Sequence, residues 1–217
     1  MNTSVLSGLS ALNHKLFYMV NGVRLPLLDQ AMILGTHLGD FSNLVWIVTA
    51  ALVLLLAHRF APASAAIRWL PPRNTVVACL ALLLVAYVAA ACMVTALKVG
   101  LHMPRPAAAL PAGSVHVLVA PESPFSFPSG HATFAMLVAS VFWPYCRSWG
   151  RIFLAVFVPW VGWSRISVGA HFPVDVITGY FCGAISVWLG MRVLALCSRR
   201  RWQAERLSLA VNRNMKK

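Results

Sequence analysis

Apolar residues run through this chain in five long uncharged blocks, 41–57, 74–97, 132–146, 152–164 and 176–191, with short polar stretches between them. A helix that crosses the hydrocarbon core of a bilayer needs roughly 20 such residues, so the blocks predict membrane-spanning helices. Two blocks are short. The 15 residues after His131 and the 13 before Arg165 reach spanning length only if each helix also takes in the polar residues at its border, which puts those residues below the membrane surface. An ionisable side chain at that depth is expensive and points to function.

Ahead of the first block, Leu6, Leu9, Leu12, Leu16 and Val20 recur at helical spacing, but His14 and Lys15 interrupt them, and 30–39 is too short to cross. This pattern predicts two interfacial helices. The expected fold class is therefore all-α, a polytopic transmembrane helix bundle of five spans with N-terminal interfacial helices. A sixth span within the first 40 residues is the alternative; it would move the N-terminus to the other side and leave the later connections where they are. No basic stretch followed by an apolar core and a small-residue cleavage site is present, so the first span is expected to direct insertion. Without repeats or linkers the chain reads as a single domain over 1–217: an interfacial segment 1–40, a transmembrane core 41–197 and a basic tail 198–217. Six prolines within 104–128 mark an irregular loop.

Composition sharpens this reading. Of 217 residues 59% are hydrophobic and 11% charged, which excludes a soluble domain of this size. The net charge of +13 gathers in 59–73, in 147–151 and in the tail from Arg192, with its run Arg199-Arg200-Arg201 and later Arg206, Arg213, Lys216 and Lys217. These are alternate connections, and the bias of basic residues toward the cytoplasm places them there, with 98–131 and 165–175 on the opposite face. The expected location is a bacterial cytoplasmic (inner) membrane, multi-pass, with those two connections toward the periplasm or cell exterior and the C-terminus in the cytoplasm. The tail then touches anionic headgroups rather than nucleic acid. Cys79, Cys92 and Cys182 fall within spans, and Cys146 and Cys197 near cytoplasmic ends, so no structural disulfide and no cysteine metal site is expected.

Both outer connections carry chemistry. Lys98 is followed after six residues by Arg105-Pro106; then comes Pro128-Ser129-Gly130-His131; then Ser164-Arg165, with His171 after five residues and Asp175 after three more. Lys98, Arg105 and Arg165 can bind a phosphoryl group, arginine through a planar fork matched to its oxygens and lysine as a mobile point charge. Ser129 and Gly130 open a predicted helix, whose unpaired N–H groups and dipole form an anion site. A carboxylate at Asp175 bonded to one ring nitrogen of His171 would leave the other free as a nucleophile. Pro173 between them predicts that the last span begins there, with His171 just ahead of it. His131 is left as the general acid, protonating the leaving oxygen and then activating the water that cleaves a phosphohistidine. Each piece alone is commonplace, since Pro-Ser-Gly-His is a capped helix start in most proteins. Jointly, three cations beside one carboxylate leave an excess of positive charge on a membrane-embedded face, which calls for an anion. The remaining histidines, His14, His37, His58, His102 and His116, read as solvated or interfacial, with His102 the one that its nearness to Arg105 could bring in.

These three motifs, in this order and with no specified position missing, resemble the signature of the type 2 phosphatidic acid phosphatase superfamily over roughly residues 98–175. The resemblance implies His171 as nucleophile, Asp175 as its partner, His131 as acid and base, and Lys98, Arg105, Ser129, Gly130 and Arg165 as phosphate ligands. It also implies a membrane lipid phosphate as substrate. The superfamily includes enzymes for undecaprenyl diphosphate, phosphatidate, phosphatidylglycerophosphate and lipid A phosphate, and the short chain with its interfacial start is most like the first. The alternatives within the class are a phosphatidate, phosphatidylglycerophosphate or lipid A phosphatase and a lipid phosphotransferase.

No cofactor is expected. Five acidic residues, Asp29, Asp40, Glu122, Asp175 and Glu205, with only Glu122 and Asp175 near the motifs in sequence, are too few for a hard-cation or two-metal centre. Two other classes compete. A non-catalytic lipid-phosphate transporter or scramblase would use the cations but need no pair of His171 and Asp175. A vanadate-dependent haloperoxidase shares a related anion site, but the members that resemble it are soluble.

Overall fold

A computed structural model of the chain describes residues 3–60, 70–121 and 123–214, and side chains at 7–60, 70–121 and 123–199. Leu6, Glu122, the 61–69 part of one basic connection and the tail side chains from Arg200 onward, Glu205 included, lie outside them. Among the described residues the regular secondary structure is all helical. Its elements are α1 (Thr3–Asn21), α2 (Pro26–Leu38), α3 (Leu44–Phe60), α4 (Arg73–Leu101), the short α5 (Pro106–Ala109), α6 (Gly130–Phe142), α7 (Ser148–Ser167) and α8 (Pro173–Asn214).

Local chemistry sets the boundaries. Proline opens α2 and α8, where a missing N–H costs nothing. Asp40 accepts a hydrogen bond from the Ser42 backbone at 2.7 Å and starts the 3₁₀ turn Phe41–Asn43 that leads into α3. His102 ends α4 in the left-handed region at φ 48°, a conformation for which a non-glycine residue needs a reason. Within the proline-rich loop, Pro106 nucleates α5 and the rest is irregular.

Among the described residues three helices are, by length and composition, long and apolar enough to cross a membrane: Phe41–Phe60, Arg73–Leu101 and Pro173–Arg199. The two short blocks behave differently from each other. Taking in Ser164 and Arg165 brings α7 to 20 residues, as expected, whereas α6 has only 13, about 20 Å at 1.5 Å per residue. A 3₁₀ turn, Trp143–Tyr145, continues it. Helix α6 tolerates this length because neighbours surround it: Leu137 and Val141 pack with Leu83, Ala86 and Ala90 of α4 and Val187 of α8, while Ala135 and Ala139 pack on Leu154, Phe157 and Val161 of α7. On α8, Gly179 and Gly183 face the α6 backbone at Ser129 and Thr133 closely enough that a side chain would collide, the close approach that small residues permit between helices. The outward faces stay apolar, with Val45, Trp46, Val53, Val88, Phe153 and Phe181 all more than half exposed. Water would not tolerate such a sheath, but lipid does.

The N-terminal helices pack at the end of the bundle that carries the motifs. The Asn21 amide donates to the backbone oxygens of Ser167 and His116 at 2.9 and 2.8 Å, Arg24 donates to Ser167 Oγ at 2.9 Å, and Asn13 Oδ1 accepts from Val174 N at 3.1 Å. Helix α2 lies along α7, where Thr36 meets Ser164 at 3.2 Å.

Candidate active site

Helices α4, α6 and α7 and the connections ahead of α5 and α8 bring six of the sequence-predicted residues into one cleft of about 270 Å³, lined by Lys98, Arg105, Gly130, His131, Arg165 and His171 on its polar side. Lys98 stands in the last turn of α4 and Arg165 in the last turn of α7, both on helix C-termini whose dipole favours a cation. Arg105 precedes α5. Its Nε donates to the Ser123 carbonyl at 2.6 Å and its Nη1 to the Ala170 carbonyl at 2.9 Å, bonds that tie the proline-rich loop to the α7–α8 connection. Ser123 Oγ accepts from both Lys98 Nζ (3.2 Å) and Arg105 Nη2 (3.3 Å), spacing the two cations around one hydroxyl. Ser129 caps α6 and is fully buried behind Gly130 and His131, its own N–H given to the Asp175 carbonyl at 3.0 Å.

His171 lies in the connection just before Pro173, and Asp175 in the first turn of α8; both are 2% exposed or less. Their closest approach, Nδ1 to Oδ2, is 3.5 Å. Ser126 joins them: its hydroxyl donates to Asp175 Oδ2 and sits 3.4 Å from His171 Nδ1, and Asp175 Oδ2 also accepts from the Phe172 backbone at 2.8 Å. The carboxylate therefore holds the bend of chain that presents His171. Burial, then the charges of Arg165, Arg105 and Lys98, push the His171 imidazole well below its ordinary range. The ring is neutral at physiological pH, the form in which a nitrogen lone pair can attack.

One reading made from sequence distance is corrected here. Asp40, discounted as remote from the motifs, has Oδ2 3.6 Å from His131 Nε2. Burial would raise this carboxyl, but the hydrogen bonds from Ser42 and the charges of His131 and Arg165 bring it below its ordinary value. Ser123 and Ser126 were missed as well. Nothing distinguishes them from other loop serines in sequence, whereas an acidic residue directly bordering the first apolar block was a signal. His102 is not among the cleft residues; it caps α4 and sits edge-on to Phe125, ring centres 4.7 Å apart. His14 packs against Phe172.

The other wall of the cleft is apolar: Phe41, Tyr87, Ala91 and Val94, with Thr95 above. A cationic head and a greasy wall fit an anion attached to a hydrocarbon.

The PAP2 superfamily matches residues 78–199, and the chain belongs to it. It is 37% identical over 60 residues to YbjG of Escherichia coli (strain K12), a candidate undecaprenyl-diphosphatase, and 32% identical over 80 residues to phosphatidylglycerophosphatase B of the same strain; the aligned stretches cover 28% and 33% of this chain. They amount to 30% and 32% of those relatives' own lengths, so the likeness is confined to about a third of each. Among solved structures, LpxE of Aquifex aeolicus superposes over 83% of this chain and 95% of its own, with a TM-score of 0.64 and 26% identity.

Proposed function

We propose that this protein hydrolyses a lipid phosphate or diphosphate through a phosphohistidine, without a metal ion. The observation that carries the reading is a buried, neutral His171 held by Asp175 and Ser126 beside Lys98, Arg105 and Arg165 in one cleft. In the first step His171 attacks phosphorus while the guanidinium forks and the α6 N-terminus take up the redistributed charge on the equatorial oxygens. His131, across the same cleft, protonates the leaving oxygen and then takes a proton from the water that cleaves the phosphohistidine. A cation's task of charge neutralisation falls to the three basic side chains, and the site's carboxylates at Asp40 and Asp175 are engaged with the two histidines.

The apolar wall supports an amphiphile as substrate. Undecaprenyl diphosphate, cleaved to undecaprenyl phosphate and phosphate, is the reading we favour, resting on the likeness to YbjG. The likeness to phosphatidylglycerophosphatase B supports a glycerophospholipid phosphatase as the second reading. We read α3, α4, α6 with its 3₁₀ turn, α7 and α8 as five passes through a bacterial inner membrane, with the site toward the periplasm. Contacts of α1 with His116 and Val174 support an N-terminus at the site face.

The test is phosphate release by the purified protein from a panel of lipid phosphates and diphosphates in excess chelator. Turnover of the undecaprenyl diphosphate ahead of the others, lost in His171→Ala, is the expected result. Full activity in His171→Ala, or a strict need for added divalent cation, would remove the mechanism. Preference for another lipid would leave it standing and change the substrate.

A further inference from the structure

If His131 acts as the proposed acid and base, its ring must carry a proton at one stage of each turnover, and its surroundings oppose this. The ring is buried at the start of α6. Lys98 from α4 and Arg165 from α7 face it, and His171 approaches from the α7–α8 connection. A protonated His131 adds another positive charge to that set, in a place where little water screens it. Some group must favour the charged ring. Asp175, on α8, is turned to His171 and Ser126. Asp40 comes from the α2–α3 turn, on a part of the chain outside the three motifs, and faces Nε2 of His131 at 3.6 Å.

Its placement is built. Asp40 Oδ1 is anchored by the Ser42 N–H at 2.7 Å, which leaves Oδ2 for the ring. Gly39 lets the turn come this near, since a side chain there would collide with Val161 and reach within 3.4 Å of His131 Cβ. Asn43 donates to the carbonyl of His37 at 2.6 Å and closes the turn from the other side. At 3.6 Å the contact is an ion pair rather than a hydrogen bond, and catalytic contacts of this kind tighten when substrate binds.

We propose that Asp40 is the positioning residue of His131, holding the ring and stabilising its protonated form so that it can donate to the leaving oxygen. The step balances. As the bond from His171 to phosphorus forms and that to the leaving oxygen breaks, the proton of His131 passes to that oxygen. In the second step water attacks phosphorus, the nitrogen–phosphorus bond breaks, and a water proton returns to His131. Asp40 touches neither substrate nor phosphorus and keeps its charge throughout.

This inference rests on the function proposed above, and the experiment separates the two. Profiles of kcat/KM against pH are measured for the wild type, His131→Ala and three Asp40 variants. Asn and Ser at position 40 keep a cap acceptor for Ser42 but lose the charge, and either serves if the other does not fold. We expect Asp40→Asn and Asp40→Ser to move the alkaline limb down by about one pH unit, the low end of the effect of a nearby opposite charge. Asp40→Glu, charged but longer, should return the limb toward its wild-type position even where the maximal rate is lower. Vanadate inhibition, which reads the anion pocket, should persist in all three. Lower rates with an unmoved limb in Asp40→Asn and Asp40→Ser, or one profile shared by Asp40→Glu and Asp40→Asn, would overturn the proposal while leaving the phosphatase reading intact. A wild type that releases phosphate from no lipid, or a fully active His131→Ala, would sink both.

Discussion

At the scale of single residues, the site divides into side chains that meet the anion and side chains that hold them. Arg105 does both, bonding two carbonyls while facing the cleft. Its replacement by alanine should cost about 2–4 kcal/mol of transition-state stabilisation, read as kcat/KM, and lysine should restore little because a point charge cannot hold two carbonyls and a phosphate at once. Ser126→Ala removes a hydroxyl bonded to a buried carboxylate, so the fold should lose about 1.5–3 kcal/mol of stability, read as a lower melting temperature, with Ser126→Thr recovering part of it. His171 also makes stability depend on pH. Its folded value is depressed, so its contribution is fully present above the unfolded value of about 6.5. It is lost as pH falls from there through the folded value, because the unfolded chain takes up a proton that the buried ring refuses. Melting of the detergent-solubilised protein at pH 7.5 and 5.5 should show the drop, and His171→Asn should shrink it. The residues of the cleft's polar side were legible in the chain because their types and spacings are chemically specific, whereas its apolar wall was not. Ser123 and Ser126 were not, because a loop hydroxyl acquires its partner only when distant segments meet, and the place of Asp40 beside an apolar block marked it without naming His131 as its partner.

At the scale of helices, the approach of α8 to α6 is what sets His131 in place. A side chain at Gly183 would lie 2.9 Å from Met136 Cβ and 3.0 Å from Leu137 N, so Gly183→Val should cost about 1–3 kcal/mol through overpacking, seen as a lower melting temperature with reduced activity. Gly100 has open space around it in α4; Gly100→Ala should be neutral or stabilising by up to about 1 kcal/mol. The apolar blocks located α3, α4, α7 and the start of α8 to within a few residues, while α8 runs on to Asn214, well past its block. The third block, 132–146, corresponds to α6 and its 3₁₀ turn together, and an uncharged run does not by itself say whether a helix faces lipid or other helices. The weak pattern before residue 40 corresponds to two helices, α1 and α2. Their hold on the α7–α8 connection was invisible, since it depends on backbone carbonyls that any sequence possesses.

At the scale of the whole molecule, Arg59 at the end of α3, Arg73 at the start of α4 and Arg147 and Arg151 at the start of α7 stand at the helix ends away from the cleft. With the native cysteines replaced, a cysteine at Ser114, in the loop beside the cleft, should react with a membrane-impermeant thiol reagent in intact spheroplasts. One at the exposed Ser148, where α7 begins, should be protected until the membrane is opened. The reverse labelling would move the site to the cytoplasm and the substrate to an inner-leaflet lipid. The clasp of Asn21 on Ser167 also has a bearing on how the protein is made. Its two residues stand 146 positions apart, so at about 5–20 residues per second of synthesis the first helices wait about 7–30 s for their partner to emerge. Until His116 emerges, 95 positions on, Asn21 has neither of the backbone oxygens it will hold, and the cleft closes only once residues 165–175 have followed.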